Sequence, residues 1–377
     1  MTGEVLGSPG RLAVFGAYSD HDHYQRNRVL VALMRDLAQD SVLLRPAEAV
    51  GDHGFSAGSS LVARLRRIGS DLLSLWRHRR SLDNCDTVFV PYPAYLEILL
   101  LLVSGRRRGR RLIVDAFLEL HSTVVEDRRR FRPGSPGAAL VLWFQRFTLR
   151  RADLVLIDTP VQARLLRERL GREAPRVLSV PVGIDERIWQ PLPPGGDRGR
   201  LRVLFWGTFI PLHGIETIVG AAGLLAAQAL PVEFHLVGDG QTADAIAELL
   251  QNLNPGNVQW RRERVESAEL VHAAQQADVV LGVFGASAKA GAVIPYKVQQ
   301  GLALNLPVIT REAEDLAAEP AAGLVTVPPQ DPDALAAALA ELLRQRAQGW
   351  EPRTREIYDL HFSNAVIRRT LAEALVP

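Results

Sequence analysis

Gly282-Val-Phe-Gly285-Ala-Ser-Ala-Lys289-Ala-Gly-Ala-Val-Ile294-Pro-Tyr-Lys297-Val-Gln-Gln300-Gly-Leu-Ala-Leu-Asn-Leu-Pro307-Val-Ile-Thr310 reads as strand, glycine-containing loop, short helix, strand. Lys289 lies in the loop and Lys297 at the start of the helix. Unsatisfied N–H groups at a helix N-terminus, with a lysine beside them, form an anion site. A nucleotide diphosphate is the anion such a loop would suit.

Working outward, the same alternation recurs along the chain. Arg202–Gly207, Val232–Gly238, Val258–Trp260, Ala277–Leu281, Pro307–Thr310 and Gly323–Val327 read as strands with helices between them. Upstream, Arg11–Gly16, Thr87–Val90, Arg111–Asp115, Ala152–Asp158 and Val177–Pro181 repeat the pattern. A helix is predicted over 24–39, with Val29, Leu30, Leu33 and Leu37 on one face. Pro160 after Thr159 and Pro332 after Asp331 mark helix starts. Tyr358–Leu375 reads as one last helix. Strands alternating with helices imply parallel sheets joined by crossover helices. Residues 191–199 (PLPPGGDRG) carry no hydrophobic period and read as a linker.

The 377 residues suffice for two domains of ordinary size. Lys+Arg 44 against Asp+Glu 42 leaves a net +2, too balanced for a general nucleic-acid binder. The basic charge is nonetheless local. The arginine runs at 106–111 and 128–132 read as solvated loops or as a patch for an anionic membrane surface or acceptor. Cys85 is the only cysteine, which fits a reducing compartment. The first ten residues lack the charged and apolar regions of a signal peptide. The longest apolar run, Leu96–Val103, is far short of the roughly 20 residues a membrane span needs. The expectation is a cytoplasmic protein, soluble or peripheral at the inner membrane face.

The opening run resembles the donor-sugar segment of retaining glycosyltransferases of family 4, in the subset that reads F-G-x-x-x-K-A-x-x-V-I-P-x-K-V. Further segments resemble that family in the same order. Arg26-Asn27-Arg28 resembles its R-N-R. Asp115, Thr123, Asp127 and Arg128 match its D-x-F…D-T…D-R segment, and 182–191 resembles its N-G-V-D…P. The resemblance covers about 80% of the chain.

It implies an α/β protein of GT-B fold, with two Rossmann-like domains facing each other across a cleft. The acceptor-side domain would span 1–190, the linker 191–200 and the donor domain 201–355. The helix in 356–377 would pack back on the first domain. A hexosyl group would pass from a nucleotide-diphosphate sugar, a co-substrate rather than a resident cofactor, to an acceptor hydroxyl. That acceptor would be a glycan, a small molecule, or a lipid-linked group at a membrane.

On the donor side the resemblance points to Gly207, Thr208, His213 and Gly214 in the first loop, where the family usually has Arg and Lys in place of Thr208 and His213. It points also to Gly238 and Gly240, to Glu263 and Val265 around the base, and to Ile294 and Gln300. The family's Glu-x7-Glu pair falls on Ala292 and Gln300, so both acids are absent. Lys289 and Lys297 match its lysines and would supply the charge lost at 208 and 213. On the acceptor side Tyr18, Arg26, Asp115 and Asp127 are candidates, with His121 as a cleft residue near the sugar.

Other readings stay open. Gly238-Asp-Gly240-Gln-Thr-Ala243 also fits the dinucleotide fingerprint, with Arg261 and Arg262 placed for the phosphate of NADP. That would make an oxidoreductase, although the turn does not follow the first strand of its half. It is equally a glycine turn without a ligand. The four departures at 208, 213, 292 and 300 leave room for a catalytically weak binding subunit. Asp20-His-Asp-His23 looks like a metal box but offers no tetrahedral set, and no metal is expected.

Overall fold

The computed structural model describes residues 10–20, 24–46, 61–127, 130–191, 199–263 and 265–376. The chain divides into two compact units, residues 1–183 with 364–377, and residues 184–363. The first crossing therefore falls at Gly183–Ile184, and residues 184–191 already belong to the second unit. Residues 192–198 of the expected linker lie outside the described residues.

The first unit runs β1 (Arg11–Phe15), α1 (Gln25–Leu37), β2 (Asp40–Leu44), α2 (Leu61–His78), β3 (Thr87–Val90), α3 (Tyr95–Val103), β4 (Arg111–Asp115), α4 (Pro136–Leu149), β5 (Leu154–Ile157), α5 (Pro160–Leu170) and β6 (Arg176–Ser179). Its sheet has the order β2-β1-β3-β4-β5-β6, with every pair parallel. β3 and β5 are buried along their whole length. A parallel sheet covered on both faces gives unbroken apolar strands rather than alternating ones. β2 was not legible in the sequence: it is an edge strand with a mostly exposed or half-buried pattern, so no apolar run marks it.

The second unit runs β7 (Leu201–Trp206), α6 (Ile215–Ala227), β8 (Val232–Val237), α7 (Ala243–Leu253), β9 (Val258–Arg261), α8 (Ser267–Gln275), β10 (Val279–Leu281), α9 (Ala288–Ala292), α10 (Tyr296–Ala303), β11 (Val308–Arg311), β12 (Leu324–Val327), α11 (Pro332–Ala347) and α12 (Thr354–His361). Its sheet is again parallel, in the order β12-β11-β10-β7-β8-β9. Two cores flank it. One gathers Phe205, Phe209 and Phe234 with α6 and α11, and the other gathers Trp189, Val298 and Leu302 with Tyr358.

The helix starts follow the local chemistry. Thr159 accepts the N–H of Gln162 and Asp331 that of Ala334, each with proline next in sequence. The last stretch is two helices rather than the one expected. The chain breaks at Phe362–Ser363, where the Ser363 hydroxyl donates to the Asp359 carbonyl at 2.9 Å. α13 (Asn364–Leu375) then returns to the first unit, where Ile367, Leu371 and Leu375 pack with Leu30 and Met34 of α1.

The arginine run at 106–111 largely serves this unit, which corrects its reading as a free basic patch. Arg106 and Arg110 pair with Asp83, and Arg107 with Asp153 at 2.9 Å. Arg111 donates to the last carbonyls of α13, to Ala374 at 2.7 Å and Leu375 at 2.5 Å. Those orphan carbonyls need donors.

A buried charge cluster lies at the carboxyl ends of β4 and β5. Asp158 is buried, and desolvation pushes its pKa up from 3.8 to about 6, against the pull of Arg26. The sign follows from linkage: the folded state holds this proton to higher pH than the unfolded chain does. Asp158 therefore costs stability above pH 6, and the cost is relieved as pH falls from about 6 toward 4. Asp158→Asn keeps the acceptor for the Thr159 N–H, a 3.0 Å bond. It should raise stability by about 3 kcal/mol at pH 7.5, and by about half that at pH 5. Urea unfolding of both proteins at the two pH values checks this. An equal difference at both would show that the carboxyl does not titrate there.

Candidate functional site

In open parallel sheets, ligands bind beyond the carboxyl ends of the strands where the strand order reverses. In the second unit that point lies between β7 and β10, so the loops 207–214 and 282–287 define the candidate site. They are tied together. The N–H of Phe284 donates to the His213 carbonyl at 2.9 Å, and that of Gly285 to Leu212 at 3.2 Å. Gly214 must be glycine, because its φ is 61° and a Cβ there would stand 2.5 Å from the Gly285 nitrogen.

Lys297 sits in the first turn of α10, which opens after Pro295. Its side chain is buried, and Nζ stands 4.0 Å from the centroid of the Phe205 ring. The charged form of the amine thus has a cation–π partner, but Nζ has no hydrogen-bond acceptor among the described residues. Burial holds its pKa well below the usual lysine range. His213 lies edge-on to the same ring, 5.7 Å between centroids, and its Nδ1 is likewise buried without a partner among the described residues. Burial first, then the charge of Lys297, holds the imidazole pKa well below its usual value, against a hydrogen bond from the ring to the Thr208 backbone. Both groups crowd one spot. A Cβ at Gly207 would stand 2.8 Å from Lys297 Nζ and 3.0 Å from His213 Cε1.

The charged form of a buried amine or imidazole is costly without an anionic partner. Lys297 Nζ and His213 Nδ1, converging beside glycine backbone, make a cradle whose charged forms would suit an anion. Lys289 and Lys297 are the chain's only lysines, so 42 of its 44 basic residues are arginine. Lys297 is in the cradle. Lys289 lies half-buried in α9, the short helix that precedes α10, and has a partner of its own.

The other donor-side candidates take the following places. Thr208 is exposed at the rim. Gly238 and Gly240 serve packing: the Phe209 N–H donates to Asp239 at 3.1 Å, and Phe209 stacks on Trp260 at 5.0 Å. The Trp260 indole in turn donates to the Gly238 carbonyl at 2.9 Å. Gln300 is buried, and its Oε1 accepts the Trp206 indole N–H at 3.3 Å. Ile294 is buried and Val265 half-buried in the same core, while Glu263 is exposed and pairs with Arg261. Arg261 also pairs with Glu269, and Arg262 is held by Asp239 and Asp244. These pairings turn both arginines away from the phosphate role that the NADP reading gave them.

Sequence reading missed Phe205 and Arg311. Phe205 looked like any core residue of β7. Arg311, at the end of β11, donates from Nη1 to the carbonyls of Gly285 at 2.6 Å and Ser287 at 3.3 Å, fixing the loop before α9. An arginine directly after a buried strand was the available signal.

In the first unit the acceptor-side candidates are largely internal. Arg26 and Asp115 are 1% and 0% exposed and form a two-pronged ion pair, Nε to Oδ2 at 3.0 Å and Nη2 to Oδ1 at 2.9 Å. Nη1 of Arg26 donates to the carbonyls of Val180 and Pro181. Asn27 donates to Ser19 and Tyr92, and Arg28 to Asp20. The R-N-R triplet therefore fastens the loops after β1 and β3. Tyr18 is buried, with Arg45 5.8 Å above its ring. His121 is half-buried, and its backbone N–H donates to Gln145 at 2.8 Å. The side chain of Asp127, with Arg128 and residues 21–23 of the metal-like box, lies outside the described residues. Among the described residues no three His, Cys, Asp or Glu side chains gather to hold a metal.

Two parallel units of this topology define a two-domain α/β protein with Rossmann-like halves. Family models make the class specific. Residues 17–183 match the glycosyl transferase 4-like domain and residues 200–345 match glycosyl transferases group 1. The chain belongs to the glycosyltransferases of GT-B architecture. It is similar in fold to a sucrose-phosphate synthase of Thermosynechococcus elongatus, at 17% identity and TM-score 0.68, covering 97% of this chain and 98% of that one. HepE of Anabaena, in complex with UDP, gives 14% and 0.66 over 97% and 99%. A glycosyltransferase of Rickettsia africae gives 12% and 0.61 over 98% of each chain. No curated protein matches the sequence.

Proposed function

We propose that the chain is a retaining, metal-independent glycosyltransferase that moves a hexosyl group from a nucleotide-diphosphate sugar to an acceptor hydroxyl. The observation that carries this reading is the cradle itself, Lys297 Nζ and His213 Nδ1 buried without acceptors at the β7/β10 switch point. Diphosphate departure builds negative charge, and positive charge already in position lowers that barrier. Lys297 would take the leaving phosphate, with the N-terminal turn of α10 behind it. Lys289 and Thr208 would meet the diphosphate from the rim. The family resemblance carries the retaining stereochemistry, in which the leaving phosphate itself takes the acceptor proton. Among the similar structures, HepE was determined with UDP and with UDP-glucose, which supports a nucleotide-sugar donor here.

The shifted pKa values give the reading a signature. Burial favours neutral Lys297 and neutral His213 in the free protein. A diphosphate favours their charged forms, so its binding should draw protons from solution, and affinity should rise as pH falls. Titration calorimetry with UDP, GDP, ADP and dTDP in two buffers of different ionisation enthalpy measures the uptake. At least one nucleotide should bind with net proton uptake. Its sugar should be turned over with EDTA present. Binding of NADP instead, or turnover abolished by chelator and restored by Mn²⁺, would overturn the reading. Nucleotide-sugar binding without turnover would leave a binding subunit.

A further inference from the structure

α4 of the first unit shows two faces. Ala138, Gln145, Thr148 and Leu149 are buried. Leu140, Trp143, Phe147 and Arg151 fall on the opposite stripe at spacings of three, four and four residues, one line along a helix surface. Leu140 is 63% and Trp143 57% exposed. Trp143 stacks on Phe147 at 5.3 Å, and the Arg151 guanidinium lies 3.7 Å over Phe147. At the other end of the helix Phe131, 42% exposed, lies against the first turn, where a Cβ at Gly137 would meet its ring at 2.3 Å. Arg130 and Arg132 flank it, both exposed. Arg150 adjoins Arg151 and pairs with Glu173 at 2.8 Å.

We propose that this stripe is a membrane-docking face that seats on the headgroup layer of an anionic bilayer. Charge complementarity selects that occupant. The apolar line Phe131, Leu140, Trp143 is bracketed by arginine at both ends, and the nearby carboxylate, Glu173, is already neutralised. Tryptophan favours the membrane–water interface, and arginine reaches lipid phosphate while its stem stays on apolar surface. No helix among the described residues is long and apolar enough to cross a membrane, so the attachment is a surface one. In the run at 106–111, Arg106, Arg107, Arg110 and Arg111 are spent on Asp83, Asp153 and α13. The proposal does not depend on the donor chemistry.

Co-sedimentation with phosphatidylglycerol/phosphatidylcholine vesicles tests it, beside pure phosphatidylcholine vesicles and with sedimentation velocity of the free protein. Wild type should bind the anionic vesicles, and binding should weaken with salt. Leu140→Ser with Trp143→Ser should lower the partition coefficient at least about tenfold, the loss of two buried apolar side chains. Arg132→Gln and Arg151→Gln should each lower it about fivefold, or ~1 kcal/mol. All these positions are exposed, so Tm and nucleotide binding should be unchanged. Equal binding to both vesicle types, or no effect of the serine pair, would overturn the proposal. So would a dimer that the serine pair dissolves while vesicles recover none of the protein.

Discussion

Lys297→Ala should lower the transfer rate by about 10²–10³, the loss typical of one transition-state contact in a pre-arranged site. The donor should bind only modestly more weakly, because the charge on the phosphate is largest as it leaves. Lys297→Arg should rescue little. The guanidinium is planar and longer, and the ammonium already lies against Gly207 and within 4.0 Å of the Phe205 centroid. His213→Ala should cost less, because burial keeps the imidazole neutral until an anion arrives. Steady-state kinetics of the three variants separate these effects. A Lys297→Ala enzyme within threefold of wild type, beside an inactive His213→Ala or Lys289→Ala, would move the charge elsewhere.

The second large effect concerns stability. Arg26→Ala should destabilise the protein by about 3–5 kcal/mol, the cost of stranding a buried charge. Asp115 would lose both prongs of its ion pair, and Val180 and Pro181 their donor. Asp158 would lose the positive charge that offsets its burial. Replacing both members, Arg26→Met with Asp115→Leu, should cost less than Arg26→Ala alone, since no stranded carboxylate remains at 115. Chemical unfolding of the single and double variants measures this. A double variant that is the less stable of the two would mean that the pair stabilises beyond mutual neutralisation.

The parallel strands and their helices were legible because buried parallel strands are unbroken apolar runs and the helices carry proline and Asp/Thr caps. β2 was hidden by its edge position, and the break at Phe362–Ser363 by an apolar period that runs through both α12 and α13. At the site, Lys297 was legible from its place in the opening run. The meaning of its neighbours was not. That Phe205 forms the wall behind the Lys297 amine follows from the contact of β7 with α10, not from sequence spacing. In the same way Arg26 and Asp115, which resemble site residues in sequence, are consumed by each other and by backbone carbonyls. Only three-dimensional partners distinguish a strut from a ligand.

A donor diphosphate should land on Lys297. With only two lysines in the chain, ¹³Cε-lysine labelling gives two side-chain NMR signals, assigned by Lys289→Arg. In the free protein the Lys297 signal should titrate well below the ordinary lysine range, near 10.4. Saturation with the nucleoside diphosphate that binds by calorimetry should move its titration back up, while Lys289 changes less. A Lys297 signal that ignores a bound nucleotide, or titrates as an ordinary surface lysine, would place the diphosphate elsewhere.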